Sequence, residues 1–311
     1  MKYSIVFPGQ GSQSLGMLSD LRSNFSVVNE IFQEASDAIN VDLWKIINED
    51  QELLSLTENT QPVMLAAGYA TYKVLAGEVN LTPISIAGHS LGEYTALVAS
   101  GSLSFFDAAQ LVRKRAELMQ AAVPNGSGSM AAILGLDDAR VIEICLKASD
   151  KGVVEAVNFN SPGQVVIAGE KKAVAHACEL MKEAGAKRAL VLPVSVPSHC
   201  SLMKDAAKEF KSSVDNINFQ MGSEKVLHNV DADYSSNIEE IKSKLVEQLH
   251  KPVLWTSTVQ KMKSSGVEKL IEAGPGKVLA GLTRRIDKSL SGSAIIDLTS
   301  LKSTIEEISN A

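Results

Sequence analysis

The chain has 311 residues, 45% hydrophobic and 21% charged, enough to bury a substantial core in two domains or in one domain with an insertion. Its formal net charge of −6 supplies no global basic field, which argues against nucleic acid or an anionic membrane as a main partner. Cys145, Cys178 and Cys200 are odd in number and lack metal-ligand spacing, so they read as reduced thiols and no metal site is expected. The apolar run from Ile5 to Phe7 is too short for a signal peptide, and no later stretch could span a bilayer. A cytoplasmic protein is therefore expected.

Tyr3 to Phe7 reads as a buried strand. It ends in Pro8-Gly9-Gln10-Gly11-Ser12-Gln13, too rich in glycine for regular structure. This is not a dinucleotide fingerprint, because Gly9-x-Gly11-x-x-Ser14 lacks the third glycine. It reads instead as a tight loop that brings Gln10 to the carboxyl end of a sheet, where α/β ligands collect. From Met17 to Glu78 the pattern is mostly helical. Phe25, Val28, Ile31, Phe32 and Ala35 recur at helical spacing, and so do Met64, Leu65, Gly68, Tyr72 and Leu75 after a start signal of Thr60 with Pro62.

Ile84 to Ala87 is a strand that runs into Gly88-His89-Ser90-Leu91-Gly92 and then a helix ending near Gly101. G-x-S-x-G between a strand and a helix marks a nucleophile elbow. The glycines allow the sharp turn, Ser90 Oγ projects at the sheet edge, and the Leu91 amide can face a developing oxyanion. The next helix runs from Phe105 to about Val123 and stops at Pro124-Asn125-Gly126. Projected at about 100° per residue, Ala108, Leu111, Val112, Leu118, Met119 and Ala122 form an apolar stripe. Arg115 lies near its centre. An inward arginine keeps its charge and needs an anion. That anion is either an internal carboxylate such as Glu93 or a substrate carboxylate held bidentately.

Beyond Asn125-Gly126-Ser127-Gly128 the texture changes. Strands at Ser129 to Leu134, Val153 to Val157, Gln164 to Ala168 and Arg188 to Leu192 alternate with helices at Asp137 to Ser149 and Lys171 to Ala184. Asn158 to Gly163 reads as a turn. The order β-α-β-β-α-β is a ferredoxin-like unit, complete in itself, inserted at residues 127–194. Residues 1–126 and 195–311 then make one larger α/β subdomain around a mostly parallel sheet. In its second half, helices are expected over Leu202 to Val214, Ile238 to Leu249 and Thr256 to Met262, with strands at Val267 to Ala273 and Ala294 to Ile296.

A serine nucleophile needs a general base, and the chain has five histidines. His176 is on a helix surface, His228 has no motif around it, and His250 ends a helix. His89 adjoins Ser90, but successive strand side chains point to opposite faces. His199 is the best placed, because it follows Val194 to Val196 in a Pro-set loop entering a helix. Asp205, Asp231, Glu272 and Asp297 are possible third members, none marked by a motif. A backbone carbonyl could fix the imidazole tautomer instead. Cys200 sits on no elbow and reads as a buried free thiol.

With these residues in place, the chain resembles the malonyl-CoA:acyl carrier protein transacylases of dissociated fatty acid synthesis, relatives of the acyltransferase domains of polyketide synthases. Seven stretches carry the resemblance in order: Phe7 to Gln13, Gly88 to Glu93, Arg115 to Met119, Asn158 to Gln164, Pro197-Ser198-His199, Val246 to Leu249, and Glu272 to Lys277. The resemblance implies an α/β-hydrolase-like subdomain interrupted by a ferredoxin-like one, and ping-pong transfer of malonyl from coenzyme A to acyl carrier protein. It implies Ser90 as the acylated nucleophile, His199 as its base and acid, and the Gln248 backbone carbonyl as the group that orients His199. Gln10 and Leu91 take the part of oxyanion donors. Arg115 takes the malonyl carboxylate, with His89, Met119 and Asn160 also among the substrate-binding residues. No cofactor is implied, coenzyme A being part of a substrate, and a monomer is expected. The sequence Val-Pro-Ser-His at 196–199 departs from the His-Ala-Phe-His of many malonyl-specific polyketide acyltransferases and fits the stand-alone enzymes. The rival reading is a serine esterase or thioesterase using the same elbow.

Overall fold

Five consecutive buried residues, Tyr3–Phe7, form β1, the middle strand of the larger of two sheets in the computed structural model, which describes residues 1–194 and 196–310. Five helices follow: α1 (Ser19–Asn24), α2 (Ser26–Ile39), α3 (Leu43–Glu49), α4 (Gln51–Ser55) and α5 (Thr57–Glu78). The last begins at Thr57, three residues before the expected start, and contains Pro62. Proline lacks the N–H that would bond the carbonyl of Glu58. Arg113 Nη1 donates to that carbonyl at 3.2 Å, so the freed acceptor is satisfied and the helix passes through.

The nucleophile strand is β2 (Ile86–Gly88), followed by α6 (Gly92–Ala99) and α7 (Phe105–Ala121). There follow β3 (Gly128–Leu134), α8 (Asp138–Ala148) continued by a 3-10 turn over Ser149–Lys151, β4 (Val154–Ser161), β5 (Gln164–Glu170), α9 (Lys171–Glu183) and β6 (Arg188–Val191). The remainder is α10 (Lys204–Asp215), β7 (Val226–Leu227), α11 (Ile238–Glu247), α12 (Trp255–Ser264), β8 (Lys269–Ala273), α13 (Val278–Ile286), β9 (Ser291–Ile295) and α14 (Leu298–Ser309). The larger sheet is parallel throughout, in the order β7-β2-β1-β8-β9. The smaller is antiparallel, in the order β4-β5-β3-β6.

Side chains alternate across a strand, and the larger sheet uses both faces. Ile5, Phe7, Ile86 and Ile271 pack with α2, α5, α6 and α7. Val6, Ala87, Leu227 and Leu270 pack with Val259, Met262, Leu279 and Leu282 on the other side. The antiparallel sheet has a core of its own, in which Ala131, Ile133, Val165 and Ile167 meet α8 and α9. Its other face, with Met130, Val157, Val166 and Ala168, meets Cys200.

The stretch expected to be a turn from Asn158 to Gly163 is mostly strand. β4 runs on through Ser161, and only Pro162 and Gly163 connect it to β5. Two register shifts within β4 kink it. Its outer edge is occupied: Val253 N–H donates to Val157 O at 2.8 Å, and Phe159 N–H donates to Val253 O at 3.0 Å. A partner 95 residues away is not legible in local sequence. The expected border at residue 195 lies outside the described residues. Among the described residues, no helix is long and apolar enough to cross a membrane.

Candidate active site

The elbow exists because two glycines clear it. A Cβ on Gly88 would lie 1.8 Å from Gly92 C, and one on Gly92 would lie 2.1 Å from Phe7 O. Between them Ser90 takes φ +52°, in the left-handed region that a residue with a Cβ rarely adopts. Neighbouring groups hold it there. Ser90 N–H donates to Asn229 Oδ1 at 2.7 Å, Asn229 Nδ2 donates to Gly88 O at 2.7 Å, and Gln248 Nε2 donates to Ser90 O at 3.0 Å.

His199 Nε2 lies 2.7 Å from Ser90 Oγ, and His199 Nδ1 lies 2.6 Å from the Gln248 backbone carbonyl. A carbonyl only accepts, so Nδ1 carries the proton and Nε2 is the acceptor for the serine hydroxyl. His199 is buried, with φ +66° of its own. Burial first, and the nearby Arg115 charge second, push its imidazole down to about 3, so it is a neutral base at ordinary pH. No carboxylate among the described residues touches it. Asp231 pairs with Lys244 at 2.8 Å, Asp297 caps α14, Glu272 accepts from Ala280 N–H at 2.8 Å, and Asp205 is in the first turn of α10.

Arg115 is 1% exposed, inward as its place on the apolar stripe requires. Nη1 donates to Gln61 Oε1 at 2.8 Å, and Nη2 donates to Gln248 Oε1 at 2.9 Å and to Ser90 Oγ at 3.3 Å. Its Nε has no partner among the described residues. The internal ion pair with Glu93 that the sequence allows for Arg115 is not formed among the described residues. Glu93 accepts instead from His228 Nδ1, Asn229 N–H and Gln248 Nε2, at 2.7, 3.0 and 2.7 Å. The guanidinium therefore sits beside the nucleophile with three neutral acceptors and donors to spare.

The other expected residues gather around this pair. Leu91 follows Ser90 directly in the elbow, and neither its amide nor that of Gln10 donates to an acceptor among the described residues. Gln10 Oε1 lies 3.4 Å from Gln61 Nε2. Met119 is buried with its Sδ 3.8 Å from Gln61 Nε2. His89 Nε2 meets Asn160 Oδ1 at 2.8 Å, which joins the elbow to β4 of the smaller sheet. Burial pushes the His89 imidazole down. Cys200 is a buried thiol raised to about 12 by desolvation, so it carries no nucleophilic thiolate.

Three participants are absent from the sequence-based set. Gln61 had a signal, being a polar residue on the same helical stripe as Met64, Leu65 and Gly68. Glu93 stands out in the sequence only as a possible partner of Arg115. Asn229 follows a two-residue strand in a loop with no periodicity, and nothing in the sequence marks it.

A protein-family model described as "Acyl transferase domain" matches residues 4–300. A malonyl CoA-acyl carrier protein transacylase of Haemophilus influenzae is 51% identical over 307 residues, covering 98% of this chain and 98% of that protein. An acyl carrier protein S-malonyltransferase from Vibrio cholerae superposes with a TM-score of 0.95 at 50% identity, over 98% of this chain and 100% of the other. A malonyl-transacylase solved in complex with its type II PKS acyl-carrier protein superposes with a TM-score of 0.97 at 48% identity, over 99% of this chain and 100% of the other.

Proposed function

We infer the activity from the premise that this chain belongs to the acyl transferase family: it transfers malonyl from malonyl-CoA to acyl carrier protein, supplying fatty acid synthesis. The observation that carries the malonyl assignment is Arg115, a buried cation in contact with no carboxylate among the described residues and 3.3 Å from Ser90 Oγ. A carboxylated acyl group satisfies it, and an acetyl group leaves it unpaired.

Each step uses a group already in place. His199 Nε2 takes the proton as Ser90 Oγ attacks the thioester carbonyl. The Gln10 and Leu91 amides receive the oxyanion. As the tetrahedral intermediate collapses, His199 returns its proton to the coenzyme A thiolate, leaving malonyl-serine. The carrier's phosphopantetheine thiol then gives a proton to His199 and attacks the ester; the second tetrahedral intermediate collapses with His199 returning that proton to Ser90 Oγ, and malonyl leaves as the carrier thioester. Gln248 orients His199 through its carbonyl and Arg115 through its side chain. His89, Asn160 and Met119 line the acyl site, with Asn160 supplied by the smaller sheet.

The larger part, residues 1–126 and 195–311, is an α/β-hydrolase-like subdomain. Residues 127–194 are a ferredoxin-like one, a reading supported by the strand order β4-β5-β3-β6 and a separate core. The protein acts as a cytoplasmic monomer. A hydrolase reading, with water attacking the same ester, has no use for Arg115. The test is to preload the enzyme with malonyl and add carrier protein or buffer alone. Transfer to the carrier within seconds against persistence of the ester in buffer supports the transferase, and equal loss in both refutes it.

The carrier protein is acidic and needs a basic landing face. Lys277, Arg284, Arg285 and Lys288 are all exposed on or beside α13, and Arg285 also bonds Gln164 of β5 at 3.1 Å. Arg284→Glu with Arg285→Glu should raise KM for the carrier protein about tenfold and leave KM for malonyl-CoA unchanged, because each lost exposed contact is worth about 0.2–1 kcal/mol. An unchanged carrier KM contradicts this face.

A further inference from the structure

Among the described residues the dyad has no carboxylate on its histidine, yet a fully buried one stands one residue behind it. Glu93 lies in the first turn of α6, directly after the elbow, and is 0% exposed. Gln248 separates it from the reacting groups and touches all of them. The Gln248 carbonyl accepts from His199 Nδ1, Oε1 accepts from Arg115 Nη2, and Nε2 donates to both Ser90 O and Glu93 Oε2. The remaining donors to Glu93 are His228 Nδ1 and Asn229 N–H, and neither comes from a lysine or an arginine. The same Asn229 holds Ser90 N–H.

We propose that Glu93 is the positioning carboxylate of the Ser90–His199 dyad, acting through Gln248. It offsets the buried charge of Arg115 and steadies the imidazolium that forms as Ser90 attacks, while the intervening amide keeps it from neutralising the guanidinium by direct pairing. The arrangement resolves a conflict built into the site. A carboxylate clamp needs an unpaired cation beside the nucleophile, and that cation opposes proton uptake by the neighbouring histidine. A counter-charge in contact with Arg115 would occupy the fork that the substrate needs. A counter-charge one amide away balances the field and leaves the fork free. His228 and Ser235, 2.9 Å apart, close the far end of the chain.

The proposal rests on the acyl-serine reading, so the experiment begins with wild-type protein and malonyl-CoA. If the wild type forms no malonyl-Ser90, that reading fails. If it does, Glu93→Gln tests the counter-charge. The substitution is isosteric, and the hydrogen bonds can be kept. The new –NH2 faces His228, whose Nδ1 becomes the acceptor once its proton moves to Nε2, where the Ser235 hydroxyl accepts it. The carboxylate charge is removed, and the only accompanying change is the tautomer of His228. The acylation rate constant at saturating donor should fall about tenfold to a hundredfold for malonyl-CoA and acetyl-CoA alike, while KM for malonyl-CoA stays the same or falls. A merely structural role would raise KM along with the loss of rate, and that outcome, or a wild-type rate, overturns the proposal. Should Glu93→Gln fail to melt cooperatively, acetyl transfer by Arg115→Met is compared with Arg115→Met/Glu93→Gln, which carries neither buried charge. The double variant should be about tenfold slower, and equal rates overturn the proposal.

Discussion

Arg115→Ala should lose about a hundredfold or more in kcat/KM for malonyl-CoA, while acetyl-CoA acylates Ser90 at the wild-type rate or faster. The loss follows from removing a charged, desolvated partner for the malonyl carboxylate, where each charge-assisted hydrogen bond is worth about 1.5–3 kcal/mol. The gain for acetyl has two sources. No buried cation is left unpaired beneath a neutral acyl group, and the charge that opposes protonation of His199 is gone. Truncation also strips Gln61 Oε1 and Gln248 Oε1 of their donor, at about 1–3 kcal/mol of stability for each unsatisfied buried group. The melting midpoint should therefore drop, and kinetics are to be measured well below it. Equal losses for the two acyl donors would mean that Arg115 supports the fold of the site and does not read the substrate.

His199→Ala should cut acylation by about 10²–10⁴-fold for every acyl donor, the range of a lost general base. The wild-type acid limb gives a second readout. Burial and the Arg115 charge hold the imidazole far below its ordinary 6.5, at about 3, so the base stays proton-free as pH falls and kcat/KM should remain level to below pH 6. The sign for stability is opposite. Between about 3 and 6.5 the unfolded chain binds a proton at this histidine and the folded chain does not, so falling pH favours unfolding through that window. His199→Ala removes this contribution, and its melting midpoint should fall less steeply than that of the wild type between pH 6.5 and 4. An acid limb with an apparent pKa of 6.5 would contradict the buried neutral base.

The elbow was legible because its requirements are local. Gly88 and Gly92 sit where a Cβ would strike backbone, and Ser90 between them is forced to positive φ. Arg115 was legible from periodicity, as a charge on an apolar helical face. What it contacts was not, since Gln61 and Gln248 come from α5 and from the end of α11. The absence of a contacting acid on His199 was visible as a lack of any motif, and the carbonyl of Gln248 accounts for it. Asn229 and the Gln248 side chain leave no local signal, because their partners Gly88, Ser90, Glu93 and Arg115 lie between 133 and 158 residues away. β4 is longer than its local sequence suggests for a similar reason, its outer edge being completed by Val253. Local steric rules and periodicity reveal a nucleophile and an inward charge, whereas polar groups paired across long separations appear only in the fold.

The most direct test of malonyl transfer through Ser90 is the intact mass of the protein after brief incubation with malonyl-CoA, acetyl-CoA and methylmalonyl-CoA in parallel. One malonyl group per chain on the wild type, much less acetyl, and none on Ser90→Ala is the expected result. A malonyl adduct that persists on Ser90→Ala, or acetyl loading as complete as malonyl, would contradict it.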